Sequence, residues 1–502
     1  MEKLLLIHFD FDKLKMIISS NIVFSKEKTQ CKQWFWDRYN ENEKYFLIKQ
    51  IEEKLCCTQA MSVEEACSVS NIWCINNPKK WQLYKYWIEQ SLIPINKEIK
   101  HCEESYQISQ GRYEEIQHIA DIKILKRAKL VACTITRAAR DIELLKGVFP
   151  SIVLIEEAAE IPEHHVVACL TSSCQQLIMI GDHQQLRPSY NDYKTAREHK
   201  INISLFERLI SGRVPYTRLE YQHRMRPTIS KLLVPHIYRT LQDDQSVFEY
   251  ENVKGIHCNV FFLSHFEFED QEHEELSRSH KNEFEAMFIC KLYRYLRMQG
   301  YPSSKITVLS TYSDQVRLLC NMIKIEDKNI SRKDEVVNCP GILSRDDEPS
   351  VRITTVDNFQ GEENDIILLS LVRRNMENEI GYLSEANRVC VALSRAKIGL
   401  YVVGNFELLR SRSELWKNIV NDAEKRQSFG SKLILTCQKH KNSTYVSKPD
   451  DFDLVTDGGC QKPCEIKRQC GHFCLRKCHV DDPDHEGMCP KQCHRQVCEM
   501  GH

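Results

Sequence analysis

Two adjacent carboxylates, Glu156 and Glu157, follow the apolar run Val153-Leu-Ile155 with no spacer. Acids at the tip of a buried segment are costly unless they meet a cation or water. At the carboxyl end of a strand in a nucleotide hydrolase, such a pair holds magnesium and orients the attacking water. The same two residues would also suit an exposed first turn of a helix, where acids complement the macrodipole. A second apolar run, Gln176-Leu-Ile-Met-Ile180, ends in Gly181-Asp182-His183-Gln184-Gln185-Leu186-Arg187-Pro188. A Gly-Asp turn followed by Gln185 is a good place to sense a phosphate, and two ordered turns at neighbouring strand tips strengthen that reading.

A different chemistry gathers at the other end. Of the 23 cysteines, nine lie between Cys437 and Cys498. The tail reads Cys460-x3-Cys464-x5-Cys470-Gly-His472-Phe-Cys474-x3-Cys478-His479-x5-His485-x3-Cys489-x3-Cys493-x4-Cys498. Thiol and imidazole this dense favour tetrahedral Zn2+. With little apolar sequence to form a core, the metal would supply the folding energy. Spacing leaves the grouping open. Cys470, His472, Cys474 and Cys478 make one plausible set, and His485, Cys489 and Cys493 with one more ligand make another. Cys437 and His440 form a weaker pair. The other fourteen cysteines lack metal-like spacing and read as buried thiols.

These groups need elements to hold them. Residues 129–215 and 216–428 alternate short β-rich runs with helical stretches. Leu130-Val-Ala-Cys-Thr134, Ser151-Ile-Val-Leu-Ile155 and Gln176-Leu-Ile-Met-Ile180 form a first series. Lys305–Ser310, Val351–Thr355, Asp365–Ser370 and Gly399–Gly404 form a second. Near-continuous apolar runs of this length describe parallel strands buried on both faces. Residues 1–128 show apolar spacings of three and four, as in Trp81-Gln-Leu-Tyr-Lys-Tyr-Trp-Ile88, and residues 1–110 contain no glycine. A doubly wound α/β domain needs glycine at its strand-to-helix turns, so this region is expected to be helical. The polar stretch Asp327–Ser350 reads as a surface insertion, and beyond Phe429 strand signals give way to cysteine. The expected fold class is α/β: tandem parallel-sheet domains, the first incomplete, behind a helical region and ahead of a metal module at 429–502.

The bulk properties are consistent with this organisation. Net charge is −1, so any nucleic-acid surface must be local. No apolar run approaches the roughly 18 residues needed to cross a bilayer, and no membrane insertion is expected. The short apolar start does not read as a secretory signal. The expected compartment is the cytosol or nucleus, where thiols stay reduced and disulfides are rare.

The ordered motifs carry a resemblance. Glu156-Glu-Ala-Ala-Glu160 resembles the acidic box of superfamily 1 helicases, and Gly181–Pro188 resembles their third motif. Leu219-Glu-Tyr-Gln-His-Arg-Met-Arg-Pro227 resembles the motif that opens their second motor domain. Thr311-Tyr312 with Gln315, Thr355-Val-Asp-Asn-Phe-Gln-Gly-Glu-Glu-Asn-Asp365 and Val391-Ala-Leu-Ser-Arg-Ala-Lys397 resemble the fourth, fifth and sixth. The branch that fits is the one containing the nonsense-mediated-decay helicase. Within it, Trp81–Trp87, Cys133–Ala139 and the Cys-Gly-His-x-Cys-x3-Cys-His tail resemble the NFX-type zinc-finger-containing helicases. The sheet domains would then be RecA-like, and the tail NFX-type fingers, with Cys498–His502 opening a further one.

The resemblance implies ATP with Mg2+ as cofactor and single-stranded RNA as partner. Glu156, one methylene longer than the family's aspartate, would hold magnesium, and Glu157 would be the catalytic base. Gln185 would sense the γ-phosphate. Arg224 and Arg395 would stabilise charge on the transferred phosphoryl group. Asp182, Gln360, Gly361 and Glu363 would lie on the nucleotide side. Thr134, Thr311 and Thr355 would contact the RNA backbone. Silencing or RNA-surveillance proteins would be partners, with RNA-directed silencing or antiviral RNA sensing as the setting.

One motif is missing. A phosphate loop needs Gly-x-x-x-x-Gly-Lys-Ser/Thr, and no Gly-Lys dipeptide occurs in the 502 residues. Alone, the chain is therefore expected not to hydrolyse ATP, and it reads as part of a longer coding sequence. A degenerate, non-catalytic RNA-binding scaffold and a RING-like ubiquitin-transfer module are the competing readings.

Overall fold

The structure is a computed structural model. It describes residue 49 and residues 53–190, 192–270, 279–335, 351–468, 471–480 and 485. The chain divides into two compact units, Met1–Val131 and Ala132–His502.

The first unit is helical where described. Helix α1 (Val63–Ser68) starts at Ser62, whose hydroxyl accepts from Glu65 N. Helix α2 (Asn77–Leu125) runs for 49 residues from Asn76, whose side chain accepts from Lys79 N. These caps satisfy amides that have no intrahelical partner. Leu83 and Tyr84 near the start of α2 are buried, whereas Tyr106, Tyr113 and Ile116 further along are exposed.

The second unit opens with helix α3 (Ile135–Arg140), followed by strands β1 (Ile152–Ile155) and β2 (Gln176–Met179). The strands pair in parallel, Ile152 beside Gln176 and Ile155 beside Met179. The expected strand over Leu130–Thr134 does not form. Leu130 is 82% exposed, and among the described residues no strand pairs with it. An apolar run becomes a buried parallel strand only when a neighbour satisfies its backbone and layers cover its faces.

Helix α4 (Pro227–Leu233) leads into the larger domain. Its strands are β3 (Val260–Ser264), β4 (Ile306–Ser310), β5 (Arg352–Thr355), β6 (Asn364–Ser370), β7 (Ala396–Gly404) and β8 (Phe429–Gly430). They form one parallel sheet in the order β8-β3-β7-β6-β4-β5. The alternation of side chains builds both faces. Ile367 and Leu369 of β6 join a core with Phe262, Val402, Phe406 and Trp416, while Ile366 and Leu368 join one with Phe261, Phe288, Tyr293 and Val403. The first core is covered by helices α6 (Ala386–Leu393) and α7 (Glu414–Lys425), the second by helix α5 (Glu283–Met298).

The second series of expected strands is present, and β3 is added to it. Part of the expected insertion at Asp327–Ser350 instead belongs to the helix Ser313–Glu335, and 336–350 lie outside the described residues. Strands also continue past Phe429, contrary to the sequence reading. Strand β9 (Leu433–Thr436) pairs antiparallel with β10 (Ser443–Val446), and β11 (Gly458–Pro463) pairs antiparallel with β12 (Lys477–His479). β9 and β10 are four residues each, and β11 and β12 carry cysteines of metal-ligand type, so these strands are weak signals in sequence.

Candidate functional site

Strand β1 delivers Glu156 and Glu157 into a tight turn. Glu157 has φ +51°, an uncommon left-handed conformation for a residue with a side chain. Ala158 N donates to Ile180 O at 2.9 Å, tying this turn to the end of β2. A Cβ at Gly181 would come within 2.9 Å of Ala159 N, so only glycine lets the two turns touch. Behind it, Asp182 accepts from Gln184 N at 2.9 Å and Gln185 Nε2 at 3.1 Å. This aims the Gln185 side chain.

The larger domain grips this turn from the opposite side. Arg395 Nη2 donates to Gln185 Oε1 at 3.0 Å. Asn387 Nδ2, on α6, donates to His183 O at 3.0 Å and Gln185 O at 2.5 Å. Tyr238 OH donates to Asp182 Oδ2 at 2.5 Å. Gly361 has φ +74°, and a Cβ there would lie 3.8 Å from Glu157 Oε1. Glu157, Asp182, Gln185, Gly361 and Arg395 thus belong to one cleft.

Cations crowd its floor. Arg224 follows a two-residue strand, Tyr221–Gln222, and Gln222 Oε1 accepts from Arg224 N at 3.0 Å and Met225 N at 2.7 Å. The Arg224 guanidinium pairs with the Glu363 carboxylate. Lys397 Nζ reaches the same carboxylate at 2.7 Å. Burial raises the Glu363 carboxyl, but hydrogen bonds from Lys397 and Arg224 outweigh it and hold the group below its usual range. The buried Arg395 is pushed down to about 10, first by burial and then by the neighbouring Arg224 charge. It stays cationic at neutral pH, so two guanidiniums sit close together where an anion would relieve them. Facing acids accumulate too. Glu160 is raised by burial, then by Glu157 and Asp357.

The expected RNA contacts divide. Thr311 and Thr355 follow and end adjacent strands, since Ser310 pairs with Thr355 across β4 and β5. Thr311 Oγ1 donates to Leu371 O at 3.4 Å, and Thr355 Oγ1 accepts from Asn358 N at 3.3 Å. Thr134 instead caps α3, accepting from Arg137 N at 3.3 Å. Beneath Thr311 lies a buried polar network. Glu285 accepts from Ser370 Oγ at 2.6 Å and Val372 N at 2.9 Å, and meets His265 Nε2 at 3.0 Å. Gln315 Nε2 donates to Ser370 Oγ at 3.0 Å. A fully hydrogen-bonded buried carboxylate of this kind fixes the backbone around it.

The tail side chains form two groups, differing from the sets considered from spacing. Cys437, His440, Cys460 and Cys478 gather in one, and Cys464, Cys474, His479 and His485 in the other, all ligand atoms within 4.8 Å of one another. Around zinc, with bonds of about 2.3 Å to sulfur and about 2.0–2.1 Å to nitrogen, tetrahedral neighbours lie roughly 3.5–3.8 Å apart. Cys437 Sγ lies 3.7 Å from Cys478 Sγ and 3.8 Å from His440 Nδ1, and Cys474 Sγ lies 3.5 Å from His479 Nε2. His472 falls outside both groups, so the expected Cys470-His472-Cys474-Cys478 set is not formed: Cys474 and Cys478 belong to different groups. Cys470, Cys489 and Cys493 lie outside the described residues. The weaker pair, Cys437 and His440, proves central. Its Cys-x2-His spacing was the available signal, but folding brings its partners from about twenty residues and more away.

Two family models, each described as an AAA domain, match residues 20–191 and 201–407. Human NFX1-type zinc finger-containing protein 1 is 42% identical over 463 residues, covering 92% of this chain and 23% of that protein. The helicase required for RNAi-mediated heterochromatin assembly 1 of Schizosaccharomyces pombe is 31% identical over 80% of this chain and 38% of its own length. The regulator of nonsense transcripts 1 homolog of Neurospora crassa is 30% identical over 62% of this chain and 27% of its own. The chain belongs to the superfamily 1 helicases.

This helicase chain spans about a quarter of the human relative's length, 23%. Among solved structures, an arterivirus nonstructural protein 10 helicase covers 57% of it and is covered over 56%, with 13% identity and a TM-score of 0.26. The helicase family implies nucleic-acid binding and a nucleotide with magnesium. The cleft fits a nucleotide: Arg224 and Arg395 present cations for its phosphates, and Gln360 Oε1, buried without a hydrogen-bond partner in the structure, suits a hydroxyl or amino donor. Tyr238, Asn387 and Lys397, which complete the helicase cleft, were not singled out from sequence. Tyr238 and Asn387 carry no spacing signal, and Lys397 appeared only within its motif. No described helix is long and apolar enough to cross a membrane.

Proposed function

We propose that this chain contributes the acid, sensor and arginine parts of the ATP cleft in an RNA-stimulated helicase. The observation that carries the reading is the Arg395–Gln185 hydrogen bond at 3.0 Å, with Arg224 alongside. One side chain senses the γ-phosphate and the other neutralises it, so phosphate state is coupled to the relative position of the two sheets. Glu156 and Glu157 would hold magnesium and orient water. Bound ATP and Mg2+ supply the phosphoryl chemistry; the chain's residues position, neutralise and take up a proton. The 502 residues hold no phosphate loop, so turnover belongs to a protein that contains one.

Thr311 and Thr355, above the Glu285 network, are the reading's RNA-backbone contacts, joined by Thr134. Hydroxyl contacts of this type suit a near-neutral chain gripping single strands. The two Cys/His groups hold Zn2+, and the protein works in the cytosol or nucleus. RNA-directed silencing or RNA surveillance is the proposed setting, because one relative is named for RNAi-mediated heterochromatin assembly and another for nonsense transcripts.

The test uses this chain within a protein that supplies a phosphate loop. Arg395→Ala or Arg224→Ala should lower RNA-stimulated ATP turnover by about 10³-fold or more, with RNA affinity measured by fluorescence anisotropy nearly unchanged. Equal losses in both would make the arginines strand contacts. No turnover in the unmodified protein would favour an RNA-binding scaffold, and zinc-dependent ubiquitin transfer would favour a ligase module.

A further inference from the structure

The hydrophobic core of the larger domain does not stop at α7. Thr436 N donates to Gly255 O at 2.8 Å, and His257 N donates to Ile434 O at 3.0 Å. Leu433, Leu435, Val446, Phe452 and Val455 share a core with Phe261, Phe288 and Tyr295. The Phe288 and Phe452 rings meet edge to face at 5.2 Å. The buried Gln299 side chain donates to Gly458 O at 2.8 Å and accepts from Gln438 Nε2 at 2.7 Å. Three ligands of the first group, Cys437, His440 and Cys460, therefore sit on segments that the sheet domain already holds.

The fourth ligand is reached through a close approach. A Cβ at Gly459 would overlap the Cys478 carbonyl and crowd its sulfur, so β11 can approach β12 only as glycine. The order along the chain then matters. Cys464 and Cys474 lie inside the loop closed when Cys460 and Cys478 share an ion, and His479 is the residue after Cys478. Closing the first site gathers three of the second site's four ligands. The reverse is not true, because the first site's other ligands depend on the sheet domain.

We infer that Cys437, His440, Cys460 and Cys478 hold a zinc ion that is a structural part of the larger α/β domain, and that this ion must bind before Cys464, Cys474, His479 and His485 can hold a second. The dependence runs one way, and it does not rest on ATP chemistry. Metal binding here closes loops that would otherwise remain open, and that closure cost transfers to the second site if the first is lost.

The experiment compares zinc content, Co2+ absorption and thermal unfolding of the unmodified chain with those of Cys437→Ser and His485→Ala. Cys437→Ser should lose two ions per chain relative to the unmodified chain, with any residual second-site binding weakened at least about tenfold, and should lower the unfolding temperature of the larger domain. His485→Ala should lose one ion, keep a three-thiolate Co2+ spectrum and leave that temperature nearly unchanged. Should Cys437→Ser fail to fold, His440→Cys decides: it should keep both ions and shift the first site's Co2+ spectrum to the four-thiolate type. Loss of one ion by each of the first two variants, or retention of both by Cys437→Ser, would overturn the inference, as would an unchanged spectrum in His440→Cys.

Discussion

Two of the parallel sheets described in the second unit, β1-β2 and the six-stranded one, carry similar apolar runs and have different surroundings. Ile366, Ile367, Leu368 and Leu369 in β6 are fully buried between helices, whereas Leu154 in β1 is 57% exposed and Ile152 equally so. An apolar run fixes a strand's character, but its burial depends on how many neighbours flank it. The cleft forms nevertheless, because its residues sit at strand tips and are held across the gap by Arg395, Asn387 and Tyr238. Packing on both faces therefore supports the larger sheet, while the smaller one is held against it by directional polar contacts together with the buried Leu186, which joins the larger domain's core.

This contrast can be broken by truncation. Leu369→Ala removes a fully buried side chain and should destabilise the larger domain by about 2–5 kcal/mol. Leu154→Ala, in a chemically similar run, should change stability by less than about 0.5 kcal/mol. Denaturant unfolding of both variants checks this, and comparable losses would mean that the smaller sheet is covered as fully as the larger.

A smaller effect sharpens the polar side of the comparison. Glu160 has its carboxyl raised by burial, Glu157 and Asp357. A folded value above the unfolded one means the folded protein holds that proton more tightly. The ionised group thus opposes folding above its raised value, and the opposition disappears as pH falls below the ordinary 4.5. Glu160→Gln should raise the unfolding temperature at about pH 7.5 and leave it unchanged at about pH 3.5. Equal shifts at both pH values would point to packing instead of charge.

Much of this was readable from sequence because the signals are local. The strands β4, β6 and β7 carry near-continuous apolar runs, and Glu157, Gln185 and Arg395 lie within short ordered motifs. The Leu130–Thr134 run misled because a strand also needs a neighbour, which composition does not report. Tyr238 and Asn387 were invisible because their partners are 56 and about two hundred residues away in the chain. The metal grouping failed for the same reason. Cys478 and His479 are adjacent in sequence yet belong to different sites, so spacing alone cannot pair either with its partners.

The central claim is that the β1 and β2 tips and the arginines form one phosphoryl-transfer cleft, and Glu157 is its most direct probe. In a protein that joins this chain to a phosphate loop, Glu157→Gln keeps the shape and hydrogen-bonding reach of the side chain but removes its ability to accept a proton. RNA-stimulated ATP turnover should fall by a factor of about 10² to 10⁴, the range attributed to a positioned general base, while ATP and RNA binding persist. Turnover equal to that of the unmodified protein would contradict the account.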